Sequence, residues 1–225
     1  MKIVSPWLAR SPQRLPTLLI AVLIGWVYSL SASASDINVN AAARLTDNPW
    51  TLEKEENNIR VYTRSVDGSD FAAIRASAVM KTNSDAVAAA LGDGNGCAEW
   101  RDMCKSSRVL DVVSEEERLI YMVLDLPWPL SDRDVVMRSI TAIDADAKKA
   151  TVSLNSDSTA HPEQKHVRAE CNGQFVIEVL SETEVEVAYE MHADLGGNIS
   201  ADLVKSRQLS ATVKEMAALR ELVEK

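Results

Sequence analysis

Apolar and polar residues alternate with a period of two over most of the chain, and the period changes to a helical one near the C-terminus. The alternation predicts strands over 50–57 and 59–66, parted by the turn pair Asn57-Asn58, and over 71–81 after Asp67-Gly68-Ser69-Asp70. Asn83-Ser84-Asp85 then caps a short helix over 86–91. Beyond a glycine-punctuated stretch with Gly92, Gly94 and Gly96, strands return over about 106–114, 118–126, 133–144, 148–156, 167–180 and 183–193. The acidic run Glu115-Glu116-Glu117 marks a solvated hairpin tip. Ser200 caps a helix over 201–224, with Leu203, Leu209, Val213, Met216, Leu219 and Val223 on one side. A further short helix is expected over 41–45.

The faces follow from the alternation. Val185, Val187, Tyr189, Met191 and Ala193 point one way; Glu184, Glu186, Ala188, Glu190 and His192 point the other. Phe175, Ile177 and Val179 share a face, as do Val135, Met137 and Ser139. The inner faces therefore carry apolar residues of mixed bulk with single hydroxyls, Ser139, Ser153 and Tyr189. A packed core and a hollow one share this pattern. Strands, a short helix and a long terminal helix, with no repeat and no low-complexity linker, predict a single α+β domain.

The N-terminus stands apart. Lys2, Arg10 and Arg14 precede an uncharged apolar run over 15–30 and then Ser31-Ala32-Ser33-Ala34-Ser35. A basic start, a short apolar run and a small-x-small site make a signal peptide over 1–34, leaving the domain at 35–225. An uncleaved membrane anchor is the alternative; the run is short for a span of roughly 20 residues. Export to the periplasm of a bacterial envelope is the expected destination. That compartment is oxidising, and Cys97 and Cys104, seven apart around Trp100, are expected to form a disulfide. Cys171 is left as a buried or strand-facing thiol, and three free thiols are the alternative.

Charge narrows the partners. The 225 residues hold 33 Asp+Glu against 24 Lys+Arg, a formal charge of −9. Without 1–34 the chain loses three basic residues and no acid, which leaves 21 basic against 33 acidic residues, or −12. Nucleic acid is excluded as a partner, because a phosphate-backbone binder needs a basic footprint. At 46% hydrophobic residues the chain has ample material for a core.

Reactive constellations are missing. The sequence has no Gly-x-Ser-x-Gly, His-Glu-x-x-His, Gly-x-x-x-x-Gly-Lys-Ser/Thr or Cys-x-x-Cys motif. His161 and His166 read as loop residues and His192 as a solvent-exposed strand residue. Asp132 and Asp134 flank Arg133, an arrangement that suits structural ion pairs better than acid/base work. No catalytic residue, metal ligand or cofactor is assigned.

The block Pro127-Trp128-Pro129-Leu130-Ser131-Asp132-Arg133-Asp134, after a strand ending near 126, resembles the signature of START (StAR-related lipid-transfer) domains. Trp100 after the short helix, Val167-Arg168-Ala169 at the start of a late strand, and Gly196-Gly197 before the last helix fall in the matching order. The resemblance covers roughly 45–223. It implies a helix-grip fold, a curved antiparallel sheet wrapped around the long C-terminal helix with an internal apolar cavity, which holds one lipid. Cavity-side positions would be Ile120, Met122, Leu124, Val135, Met137, Ser139, Tyr189 and Met191, with Ser153, Phe175, Ile177, Leu209, Val213 and Met216 completing the candidate ligand-binding set. Trp128 would stand on a loop at the entrance, where its ring could touch a membrane briefly.

This chain departs from family patterns at three places. Arg101 stands where ceramide-binding members carry an acid, Met122 where they carry an amide, and Ser139 where several members carry an arginine. These departures favour a weakly polar sterol-like or acyl ligand over ceramide or a phosphate headgroup. The reading is a monomeric, non-catalytic carrier of a single hydrophobic lipid, sterol-like, acyl or phospholipid. The alternatives are a helix-grip enzyme of the cyclase or aromatase type, which needs convergent acid/base groups in the pocket, and a protein-interaction module with a filled cavity.

Overall fold

A computed structural model describes residues 48–162 and 165–225 of the chain. The signal peptide expected over 1–34 and the helix expected over 41–45 lie outside the described residues. β1 (Thr51–Glu56) and β2 (Ile59–Arg64) form a hairpin whose turn residues, Asn57 and Asn58, both take positive φ, as a twist-matched two-residue turn requires. β3 (Ala73–Met80) follows, then α1 (Ser84–Gly92), capped by the Asn83 side chain accepting from the Ala86 N–H at 2.9 Å. After α2 (Cys97–Trp100) come β4 (Cys104–Val112), β5 (Glu117–Leu124), β6 (Arg133–Asp144) and β7 (Lys149–Ser156). β8 (Val167–Arg168), β9 (Glu170–Ser181) and β10 (Glu184–Asp194) precede the long helix α3 (Ala201–Val223).

These strands make one curved sheet in the order β1-β2-β3-β10-β9-β7-β6-β5-β4, antiparallel throughout, with β8 added parallel to the start of β6. The sheet is not closed, and α3 lies against its inner face. The single strand expected over 167–180 is broken at Ala169. There the Ala169 N–H donates to the Asp134 carbonyl at 2.7 Å, so β8 pairs β6 while β9 pairs β7 and β10.

Alternation places the inner-face residues largely as expected. Tyr189 lies opposite Phe175, Val187 opposite Ile177, and Met122 opposite Val135. All six are buried, in one cluster with Val213, Met216 and Leu219 of α3. Each such side chain contributes about 1.5–3 kcal/mol on burial. Gly173 permits the close approach of β9 and β10: a Cβ there would stand 2.1 Å from the Glu190 carbonyl oxygen.

Four expectations are corrected. Ser153 lies opposite Gln174 and Ile140 on the outer face, because β7 turns Ala150, Val152 and Leu154 inward. Leu203 is 51% exposed, and Val204 is the buried residue of that turn. Ser200 occupies the N-cap position of α3, but its side chain makes no capping bond. His192 is half-buried; its Nε2 is 3.0 Å from Ser69 Oγ, and burial pushes its pKa below the usual histidine range.

The acids around Arg133 do structural work. Asp134 is fully buried on the outer face, paired with Arg168 Nε at 2.7 Å and accepting from the Tyr121 hydroxyl at 3.1 Å. Asp132 pairs with Lys105 at 2.7 Å. Arg133 is buried too. Its Nε donates to the Leu195 carbonyl at 2.6 Å and its Nη1 to the Ser131 carbonyl at 2.7 Å. The loop before β6 is thereby fixed to the turn before α3, where Gly196 and Gly197 take φ of 63° and 72°.

Candidate functional site

The two halves of α3 differ in what holds them. At the C-terminal end, Met216, Leu219 and Val223 enter the solid core. The Val223 carbonyl accepts from Thr82 Oγ1 at 2.8 Å, and Glu224 accepts from the Lys81 N–H at 2.7 Å. The N-terminal half instead covers a cavity of about 80 Å³. Its other walls are the segment 101–104, the near ends of β5 and β6, and the far end of β10 with Cys171 of β9.

Most of this wall is apolar and soft. Met122 and Leu124 come from β5, Val135 and Met137 from β6, Met191 and Ala193 from β10, and Met103 from the segment after α2. An unbranched thioether side chain reshapes readily, so four methionines on one wall make a lining that can yield to a guest. Six candidates from the sequence thus meet at the cavity: Met122, Leu124, Val135, Met137, Tyr189 and Met191.

The others lie elsewhere. Ile120 is buried beneath the α1–α2 connection, where a Cβ on Gly94 would meet its side chain at 3.0 Å. Ser139 faces inward but lies farther along β6 than the cavity, and Ser153 faces outward. Phe175, Ile177, Val213 and Met216 belong to the packed core behind the cavity. Leu209 turns toward a separate cleft with Thr63, Phe71 and Ile74. Trp128 is 92% exposed on the loop 125–132 that Arg133 braces.

Arg101, Tyr189, Gln208, Thr212 and Glu215 supply the polar part of the cavity lining. Of these, Tyr189 and Arg101 are singled out in the sequence, and Gln208, Thr212 and Glu215 are not. The Arg101 guanidinium carbon sits 4.6 Å from the Trp100 ring centroid and 5.4 Å from that of Phe175, a cation held over two aromatic faces. Phe175 in turn stacks on Tyr189 at 4.7 Å. Glu215 keeps some solvent exposure at residue level, yet dense surrounding protein pushes its pKa up; the Arg101 charge and a hydrogen bond from the Met103 backbone pull the other way. Burial likewise raises the Tyr189 phenol, and it pushes the Cys171 thiol up to about 12, so both stay protonated at neutral pH. A sequence signal for Glu215 exists: it falls four residues after Ala211 and four before Leu219, on the buried stripe of α3.

The segment carrying Arg101 is closed by the Cys97–Cys104 disulfide and tied to α3 through Asp102, which pairs with Arg207 at 3.0 Å and Lys214 at 3.4 Å. Among the described residues no cluster of His, Cys, Asp and Glu could hold a metal ion, and no helix is long and apolar enough to cross a membrane.

Comparison with known proteins agrees with this geometry. A family model described as START domain matches residues 32–225. An uncharacterized protein of Pseudomonas aeruginosa is 29% identical over 198 residues, covering 87% of this chain and 95% of that protein. The crystal structure of a STAR-related lipid transfer protein fragment from Xanthomonas axonopodis is 29% identical, with a TM-score of 0.72, and covers 78% of this chain and 99% of the fragment. Human StAR-related lipid transfer protein 5 shares the fold with a TM-score of 0.72 at 16% identity, over 83% of this chain and 91% of its own.

Proposed function

The chain belongs to the START domain family, known for lipid binding and transfer, and from that premise we propose that it binds one hydrophobic lipid under α3 and carries it within a bacterial envelope without transforming it. The observation that carries this reading is the methionine-rich cavity beneath the first half of α3. Its protonated phenol and thiol, and the lack of a nucleophile–base pair along the wall, favour binding over chemistry. Each buried methylene is worth about 0.8 kcal/mol, so ten supply on the order of 8 kcal/mol before the entropic cost of association.

At about 80 Å³ the cavity is far below the roughly 300–1,000 Å³ of occupied small-molecule sites. Receiving a whole lipid chain therefore requires this cavity to enlarge. We assign the movement to the N-terminal half of α3, because it is held mainly by the ion pairs of Lys205 with Glu53 and of Asp102 with Arg207 and Lys214, whereas the other half is pinned by the core and by Thr82 and Lys81. The uncapped start of α3 lowers the cost of that movement. Trp128, exposed on the loop 125–132, gives a monomeric carrier a brief membrane contact in place of bulk charge attraction. The basic, apolar and small-residue succession over 1–34 supports export.

Transfer of a fluorescent acyl lipid between two vesicle populations tests the reading. Catalytic amounts of protein should accelerate transfer; a rate equal to that without protein would contradict it.

A further inference from the structure

We propose that the ligand is a single-chain amphiphile with a carboxylate head, received by Arg101 with Tyr189 and Glu215 beside it. The inference rests on the lipid-binding reading above and names the ligand class for that site.

Arg101 carries the argument. Among the described residues its guanidinium makes no ion pair and no side-chain hydrogen bond; its contacts are the faces of Trp100 and Phe175. A half-buried cation on a largely apolar wall, with its donors unclaimed by protein, is matched by an incoming anion, and the planar fork of arginine fits a carboxylate with two parallel bonds. The Tyr189 hydroxyl, also on the cavity wall, makes no hydrogen bond among the described residues and supplies a further donor.

Glu215 selects among anions. A carboxylate arriving beside it can share one proton with it, since burial already favours the protonated acid at this position. A phosphate monoester brings close to two charges against the same carboxyl, and one shared proton neutralises only part of that repulsion. Size points the same way. About 80 Å³ accommodates a small head and the beginning of one chain, with the methionine wall yielding to the rest, and a two-chain lipid demands far more displacement.

The test compares ligands of one chain length on the full exported domain by displacement of a fluorescent probe: palmitate, methyl palmitate and palmitoyl lysophosphatidic acid. Palmitate is expected to bind about 10- to 100-fold tighter than its methyl ester, the range of one charge-assisted hydrogen-bonded pair, and tighter than the phosphate-headed ligand. Arg101→Gln should remove the preference for acid over ester. An ester that binds as tightly as the acid, a tighter phosphate-headed ligand, or a preference that survives Arg101→Gln overturns the assignment while leaving a lipid carrier intact. Binding of none of the three overturns both readings. The wild-type ratio needs no variant, so a folding defect in Arg101→Gln leaves the test decisive.

Discussion

Filling the cavity separates a binding site from an idle packing defect. Ala211 is buried on the N-terminal half of α3 and faces the cavity, so Ala211→Leu adds three carbons to that space. A void costs about 24 cal/mol per Å³, so 80 Å³ represents about 2 kcal/mol of forgone stability. The variant should therefore unfold at a higher urea concentration, by up to about 2 kcal/mol, and lose lipid binding by tenfold or more, on the order of 1.4 kcal/mol. Equilibrium urea unfolding and probe displacement measure the two quantities on one preparation. Stability and binding should move in opposite directions, as expected of a site whose emptiness serves a guest. A loss of about 1–3 kcal/mol, as overpacking gives, together with unchanged lipid affinity would refute the placement of the ligand under α3.

Other consequences are open to direct measurement. Cys97→Ser opens a loop with a sequence separation of 7 and should cost about 2.5 kcal/mol in denaturant unfolding; an equal midpoint for oxidised wild type and variant would contradict the disulfide. Glu215 has a raised pKa in the folded state, so its favourable contribution is complete below the unfolded value of 4.5 and is lost as pH rises through the folded value. Glu215→Gln should thus gain stability relative to wild type as pH rises from 4 to 8, and a pH-independent difference would refute that burial. Trp128→Ser removes a ring that is 92% exposed, so unfolding should change by less than about 0.5 kcal/mol while vesicle-to-vesicle transfer slows; unchanged transfer would remove Trp128 from the membrane contact.

Much of the fold could be read from periodicity because both repeats are long and clean. In β10, Val185 to Met191 alternate without exception, and the strand pairs in register on both sides. The paired asparagines 57 and 58 signalled their hairpin for the same local reason. Errors arose where tertiary partners decide. Ala169 interrupts a strand because Asp134 offers its carbonyl from β6. His192 leaves the solvent because Ser69 from a distant loop covers it.

The site was legible only in its apolar half. Met122, Val135 and Met191 follow from strand parity, whereas Glu215 reads as an ordinary surface charge along the chain and Arg101 is marked only by the family resemblance. They meet because the Cys97–Cys104 loop and Asp102 bring one segment against α3. Parity could have excluded Ser153, since Val152 and Leu154 flank it inward. Which inner residues border open space and which pack solidly depends on the seating of α3. Phe175 and Met137 share an inner face, yet one is core and the other cavity wall.

The central claim is that one lipid lies under α3, and native mass spectrometry of the protein purified from its own cells without detergent tests it most directly. A single adduct with the mass of one lipid, at one per protein chain and displaced by added palmitate, is the result predicted. A bare polypeptide mass that also stays bare after incubation with lipid vesicles would contradict it.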